Sequence, residues 1–237
     1  MLGALREDVR SLDSRSTLVL LFSTIMLVVV QFIGKSDYWL KTEFVRRQAS
    51  NWLELQFAGQ IAWAAVTVCC FGVLPFLFAT LVLRMRPSEF GCSARGLWRH
   101  LWFYGVMYLC MLPIVLWASK RPDFVQTYPF AALARQDDTW FLRWEAAYFL
   151  QFCALELFFR GFMIFGLERR FGLNAVFVMT VPYTMIHYSK PMPEAFAAII
   201  AGVVMGYAAL KTRSFFGGVL LHYGVALTMD LLARSQA

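Results

Sequence analysis

Charged residues are few. Asp, Glu, Lys and Arg make up 16% of the 237 residues, where a soluble globular chain carries about 25%, and the deficit argues against an ordinary soluble domain. The 22 Lys and Arg residues never gather into a long basic tract, so the net charge of +7 fits loops anchored at anionic lipid better than a nucleic-acid partner. Cysteine is sparse and unpatterned. Cys69, Cys70, Cys92, Cys110 and Cys153 include no C-x-x-C pair and four of them lie in apolar stretches, which speaks against a disulfide framework and against a cysteine-zinc site. Internal repeats and low-complexity segments are absent, and there are only three histidines.

What the chain has in quantity is apolar surface, 59% of its residues. A spanning helix takes about 20 apolar residues, so this length predicts an all-α polytopic membrane bundle of about seven to eight transmembrane helices with a short interfacial helix. Residues 1–139 read as N-terminal helices with the interfacial segment, and residues 140–237 as the C-terminal, chemistry-bearing helices of one integrated membrane domain. Met1 to Arg15 is a short head of mixed charge. Thr17 to Gly34 follows as 18 uncharged residues, longer than a signal-peptide core and without its small-residue exit, and is taken as the first span. Asp37 to Gln56 interleaves Tyr38, Trp39, Phe44 and Trp52 with Lys41, Arg46 and Arg47, the pattern of a segment lying in the interface. Phe57 to Leu83 is a long span with Pro75 as a kink, and Leu101 to Ser119 is the third. His100, beside Arg99 and Trp102 at the entrance to that helix, reads as an interfacial residue.

Lys120 to Thr139, with two prolines and three aspartates, reads as the longest exposed connection. Spans are then expected over Trp140 to Leu167, Phe171 to Tyr188, Ala195 to Leu210 and Ser214 to Leu232. Ala198, Gly202 and Gly206 recur every four residues, a flat face that lets a neighbouring helix approach closely. Lys and Arg divide almost evenly between alternate connections and do not set the orientation.

Three polar features lie inside these apolar runs. Glu156 and Arg160 are four residues apart on one helix, so they share a face and can pair. His187 and His222 each sit in a different run. A charge at that depth costs roughly 2.5 to 3.5 kcal/mol on insertion scales, and intramembrane ionisable residues are by default functional candidates. One carboxylate and two histidines suggest two chemistries. In the first, Glu156, His187 and His222 bind a zinc ion that lowers the pKa of its water. In the second, which is preferred because no H-E-x-x-H or second carboxylate at ligand spacing is present, Glu156 acts as a general base without any cofactor. His187 would then hold the water and His222 would stabilise the oxyanion.

Glu156-Leu157-Phe158-Phe159-Arg160-Gly161-Phe162, then Tyr183-x-x-x-His187, then Gly202-x-x-x-Gly206, then His222 near the start of a last apolar stretch resemble, in that order, the CAAX protease and bacteriocin-processing (Abi) family of intramembrane endopeptidases. The resemblance covers about residues 140 to 232, with the Pro87-Ser88-Glu89-Phe90-Gly91 loop as a further point of likeness. It implies a water-activating glutamate working with a histidine, and an oxyanion site at the second histidine with an Asn or Asp four residues on. Carried over by position, the residues are Glu156, Arg160, His187 and His222, with Tyr183 in place of a phenylalanine. Two positions depart from the pattern: Leu155 stands where the family has the first of two glutamates, and Ala226 stands where it has the Asn or Asp. Asp230, two turns beyond His222, is the nearest substitute on the same helix.

The sequence therefore predicts an integral membrane endopeptidase, in the plasma membrane if the source is bacterial, acting on a membrane-associated protein or peptide near its C-terminus. A catalytically silent relative that binds or chaperones a membrane partner is the alternative that Leu155 and Ala226 raise, and a transporter with a buried proton or ion path is the third.

Overall fold

A computed structural model describes residues 12–95 and 97–236 of the chain. Residues 1–11, 96 and 237, and with them most of the charged head, lie outside the described residues. Among those described there is no strand, and six helices are long and apolar enough to cross a membrane. The first four are α1, Ser14–Phe32, α2, Trp52–Val82, α3, Leu97–Ala118, and α4, Asp138–Phe171. A shorter helix, α5, Asn174–Met185, comes next, and the last two spans are α6, Met192–Thr212, and α7, Phe216–Arg234.

Helix starts follow local chemistry. The side chain of Asp13 caps α1 by accepting from the Ser16 N–H, and Asn51 caps α2 by accepting from the Glu54 N–H while Glu54 reaches back to the Ser50 N–H. Asp137 takes the N–H groups of Thr139 and Trp140 at the head of α4. Each such cap satisfies donors that the first turn leaves open.

Helix α4 is the axis of the bundle. It is the most enclosed of the six spans, whereas α3 lies mostly on the outside. Around its second half the largest core gathers Phe158, Phe159, Phe162 and Met163 with Phe71 of α2, Val19 of α1 and Val176 and Tyr183 of α5. The rings of Phe71 and Phe158 stack at 4.4 Å. Leu155 faces this apolar core.

Three expectations change on contact with the structure. The run expected to span from Phe171 to Tyr188 gives only the 12 residues of α5, about 18 Å of helix against a hydrocarbon core of about 30 Å. Gly172 at φ +53° stops α4, and at the far end successive turns through His187 and Lys190 lead into Pro191, so the run cannot continue as one helix. The interfacial segment is two single turns, Ser36–Trp39 and Glu43–Arg46, rather than one helix. The 120–139 connection is not an exposed loop. It folds into Pro122–Thr127 and Ala132–Arg135, and it buries Phe124, Tyr128, Ala131, Leu133 and Ala134, because its aromatic and small apolar residues outweigh its few charges as material for a core. The Arg135 guanidinium donates to the backbone oxygens of Val125 and Tyr128 and ties the segment together.

The small-residue stripe does what its spacing predicts. A Cβ at Gly202 would stand 2.8 Å from Thr180, and one at Gly206 would stand 2.8 Å from Val176, so α5 and α6 touch through these glycines. Helix α7 lies against both α3 and α4. Tyr108 and Thr228 share a 2.7 Å hydrogen bond across the α3 side. On the α4 side the Trp144 indole N–H donates to Asp230 at 2.8 Å, and Arg234 donates to Asp138 at 2.7 Å.

Asp230 is thus fully buried in the α4–α7 seam. Asp230→Ala leaves the Trp144 N–H without its acceptor and should lower stability by about 1 to 3 kcal/mol. Asp230→Asn keeps an acceptor oxygen in place and should leave stability at or above the native level. Thermal unfolding of the detergent-solubilised variants separates the two, and equal losses would show that the hydrogen bond is not what holds the seam.

Candidate active site

One face of α4 carries Trp144, Tyr148, Phe152, Glu156 and Arg160 at four-residue spacing, so a helix stacks them one above another. The rings follow this ladder: Trp144 to Tyr148 at 4.8 Å, Tyr148 to Phe152 at 4.6 Å, and Phe152 to the His222 imidazole of α7 at 4.4 Å. Where the ladder turns polar, the helix widens into a π-helical stretch, Leu157–Met163, immediately after Glu156. Such turns recur at functional sites because they re-aim side chains within a continuous helix. The Pro87–Gly91 loop backs this stretch, since a Cβ on Gly161 would stand 2.9 Å from the carbonyl oxygen of Phe90.

The Glu156 carboxylate is the meeting point. Its Oε1 lies 3.1 Å from Arg160 Nη1 and 3.0 Å from His222 Nδ1, and neither the Glu156 nor the Arg160 side chain has any exposed surface. The His222 side chain keeps 16% of its surface, so of the Glu156–His222 pair it is the one that solvent touches. An ionised carboxylate only accepts hydrogen bonds, which makes Nδ1 of His222 the donor and leaves its Nε2 as an acceptor. The second carboxylate oxygen, Oε2, has no hydrogen-bond partner in the protein.

Tyr183 of α5 joins this pair to the other histidine. The Arg160 guanidinium lies 3.9 Å from the centre of the Tyr183 ring, close enough for a cation–π contact. The ring stands 4.8 Å from that of His187 and 6.3 Å from that of His222. His187, just past the end of α5, directs Nδ1 at the Tyr183 backbone oxygen at 2.8 Å, which fixes the ring and leaves Nε2 free. Beyond it, Lys190 pairs with Glu194 at 2.6 Å, and the same carboxylate takes the Tyr128 hydroxyl from the folded 120–139 segment. Burial beside Glu194 pushes the Tyr128 phenol well above its ordinary range.

Of the residues singled out in the sequence, Glu156, Arg160, His222, Tyr183 and His187 therefore stand in one continuous set of contacts. Asp230 stands apart. It lies eight residues from His222, about 12 Å along the helix, its bond is to Trp144, and it is not a solvated charge at a helix end because it has no exposed surface. Ala226 packs among Phe57, Trp144 and Phe152. Among the described residues no three His, Cys, Asp or Glu side chains converge to hold a metal ion, and the Glu156 oxygen that faces His222 is shared with a guanidinium.

Two features escaped the sequence reading. Trp144 holds Asp230, and the buried Glu145 next to it faces the same aspartate. Gly218, in the first turn of α7, lies against Glu156, and the adjacent glycines Gly217 and Gly218 were the signal available for it.

No curated protein and no solved structure matches the chain. Residues 137–228, the segment that holds Glu156, Arg160, His187 and His222, match the family model described as type II CAAX prenyl endopeptidase Rce1-like.

Proposed function

We propose that the protein is an intramembrane endopeptidase that cleaves a membrane-associated protein or peptide near its C-terminus with water activated by Glu156 and His222. The observation that carries this reading is the 3.0 Å bond between Glu156 Oε1 and His222 Nδ1 at a depth where an ionised pair has no folding reason to be placed. The carboxylate fixes the imidazole tautomer by accepting from Nδ1, and Nε2 takes the proton of the attacking water. Glutamate and histidine here divide the work as base and orienting acid group do in other hydrolytic pairs. This moves His222 from the oxyanion role that the family resemblance implied to the water-activating side. His187 stays neutral because burial pushes its pKa down to about 2, and with Nδ1–H donated to the Tyr183 carbonyl its Nε2 is an acceptor that holds the attacking water. Arg160 neutralises the carboxylate in the unreacted state.

The departures Leu155 and Ala226 favour a second reading, a silent relative that binds its partner without cutting it. Leu155 packs into the apolar core and Ala226 into an aromatic one, so neither place holds a group able to replace the family's side chain. Turnover on a membrane-tethered peptide decides between the two readings.

Glu156→Gln should lower the cleavage rate at least about 100-fold, because the amide no longer fixes the imidazole tautomer that general-base work needs, while the protein inserts and unfolds like the native chain. Native turnover in that variant would remove Glu156 from the mechanism. Arg160→Ala behaves differently: it leaves a buried carboxylate unpaired, and a loss of about 3 to 5 kcal/mol in stability accompanies the loss of activity. His187→Ala should reduce the rate without weakening the Glu156–His222 bond, read from the 15N signal of the His222 imidazole, and disturbance of that signal would place His187 in a purely structural role.

A further inference from the structure

Glycine recurs in α7 at Gly217 and Gly218, one turn before His222. Neither residue has a positive φ, so the backbone does not demand glycine at either place. Their surroundings differ. A Cβ on Gly217 would lie 2.1 Å from Cε2 of Tyr104, within the α3–α7 contact. A Cβ on Gly218 would lie 2.4 Å from Oε2 of Glu156 and 3.1 Å from its Cδ, with Met205 Cε at 3.3 Å. The first glycine lets two helices approach. The second makes room for one carboxylate oxygen.

That oxygen is the one with no hydrogen-bond partner. Arg160 and His222 both act on Oε1, and the terminal torsion of a glutamate is broad, so these two contacts alone leave the plane of the carboxylate loosely set. What fixes the plane is the surface on which Oε2 rests, and in this site that surface is the bare Cα of Gly218. We propose that Gly218 is a positioning residue for hydrolysis: by lacking a side chain it seats Oε2 of Glu156 and thereby keeps Oε1 aligned with Nδ1 of His222. The inference rests on the reading of Glu156 and His222 as the reacting pair. A methyl group at position 218 turns the carboxylate, since a carboxylate end rotates at less cost than two packed helices separate.

The test is Gly218→Ala, read by turnover on the tethered peptide and by the 15N signals of the histidine-labelled protein, in the native and the Glu156→Asp backgrounds. The shorter aspartate side chain draws the carboxylate away from the added methyl. With Glu156 present, Gly218→Ala should lower kcat about 100-fold, the scale of a displacement of about 1 Å in a catalytic group. KM should stay within about twofold, as for an interaction made only in the transition state, and the His222 Nδ1 signal should lose its hydrogen-bonded position. In the Glu156→Asp background the same substitution should cost less than about threefold, a non-additivity that contact between the two residues requires. Gly217→Ala, by contrast, should lower the unfolding temperature and leave the His222 signal in place. An unchanged His222 signal in Gly218→Ala overturns the proposal, and so does an equal cost in both backgrounds. If Gly218→Ala fails to fold, the Glu156→Asp background must restore folding, and a double variant that also fails overturns it. The imidazole signal does not depend on cleavage, so a protein without protease activity refutes the proposed function while leaving the seating of Glu156 to be decided by the spectrum.

Discussion

Everything around the site follows from one constraint: the Glu156 carboxylate is completely withdrawn from solvent within a membrane-spanning helix. An ion in that position is tolerable only with partners at hand, and each neighbouring element supplies something. Helix α4 itself brings Arg160 one turn on, α7 brings His222 and the bare backbone of Gly218, and α5 brings the Tyr183 ring that covers the guanidinium. The glycine faces between α5 and α6 and between α3 and α7 serve the same end, since Tyr183 and His222 reach Glu156 only if their helices come close.

The same constraint separates the two polar centres on the α4–α7 seam. At Glu156 the carboxylate meets an imidazole and a guanidinium and has one free oxygen, a combination suited to moving a proton. At Asp230 the carboxyl group meets the Trp144 indole N–H and the buried Glu145 of α4, contacts that tie α7 to α4 with no imidazole or guanidinium at hand among the described residues. The two acidic centres on one seam thus serve different purposes because their partners differ.

Much of this was legible in the sequence, and the rest was not for identifiable reasons. Long uncharged runs mark α1, α2, α3 and α7 directly, and the spacing of Glu156 and Arg160 implies their pairing, because both are properties of a single helix. The run around Pro182 misled because hydropathy does not register that Gly172 and Pro191 close it into a short helix. Prolines and aspartates in the 120–139 segment suggested exposure, while its aromatic residues determined the outcome by packing against Trp144 and Tyr148. Which donor Asp230 would meet, and which oxygen of Glu156 His222 would hold, depend on the rotation of α7 against α4. Sequence spacing on one helix carries no information about that angle.

The central claim is that Glu156 and His222 act as one unit on water. Its most direct test is the double-mutant cycle of Glu156→Gln and His222→Ala, measured as turnover on a membrane-tethered peptide. The account predicts that the double variant is no slower than the worse single variant, because either change alone already disables the pair. Losses that multiply would mean that the two residues contribute independently, and would contradict it.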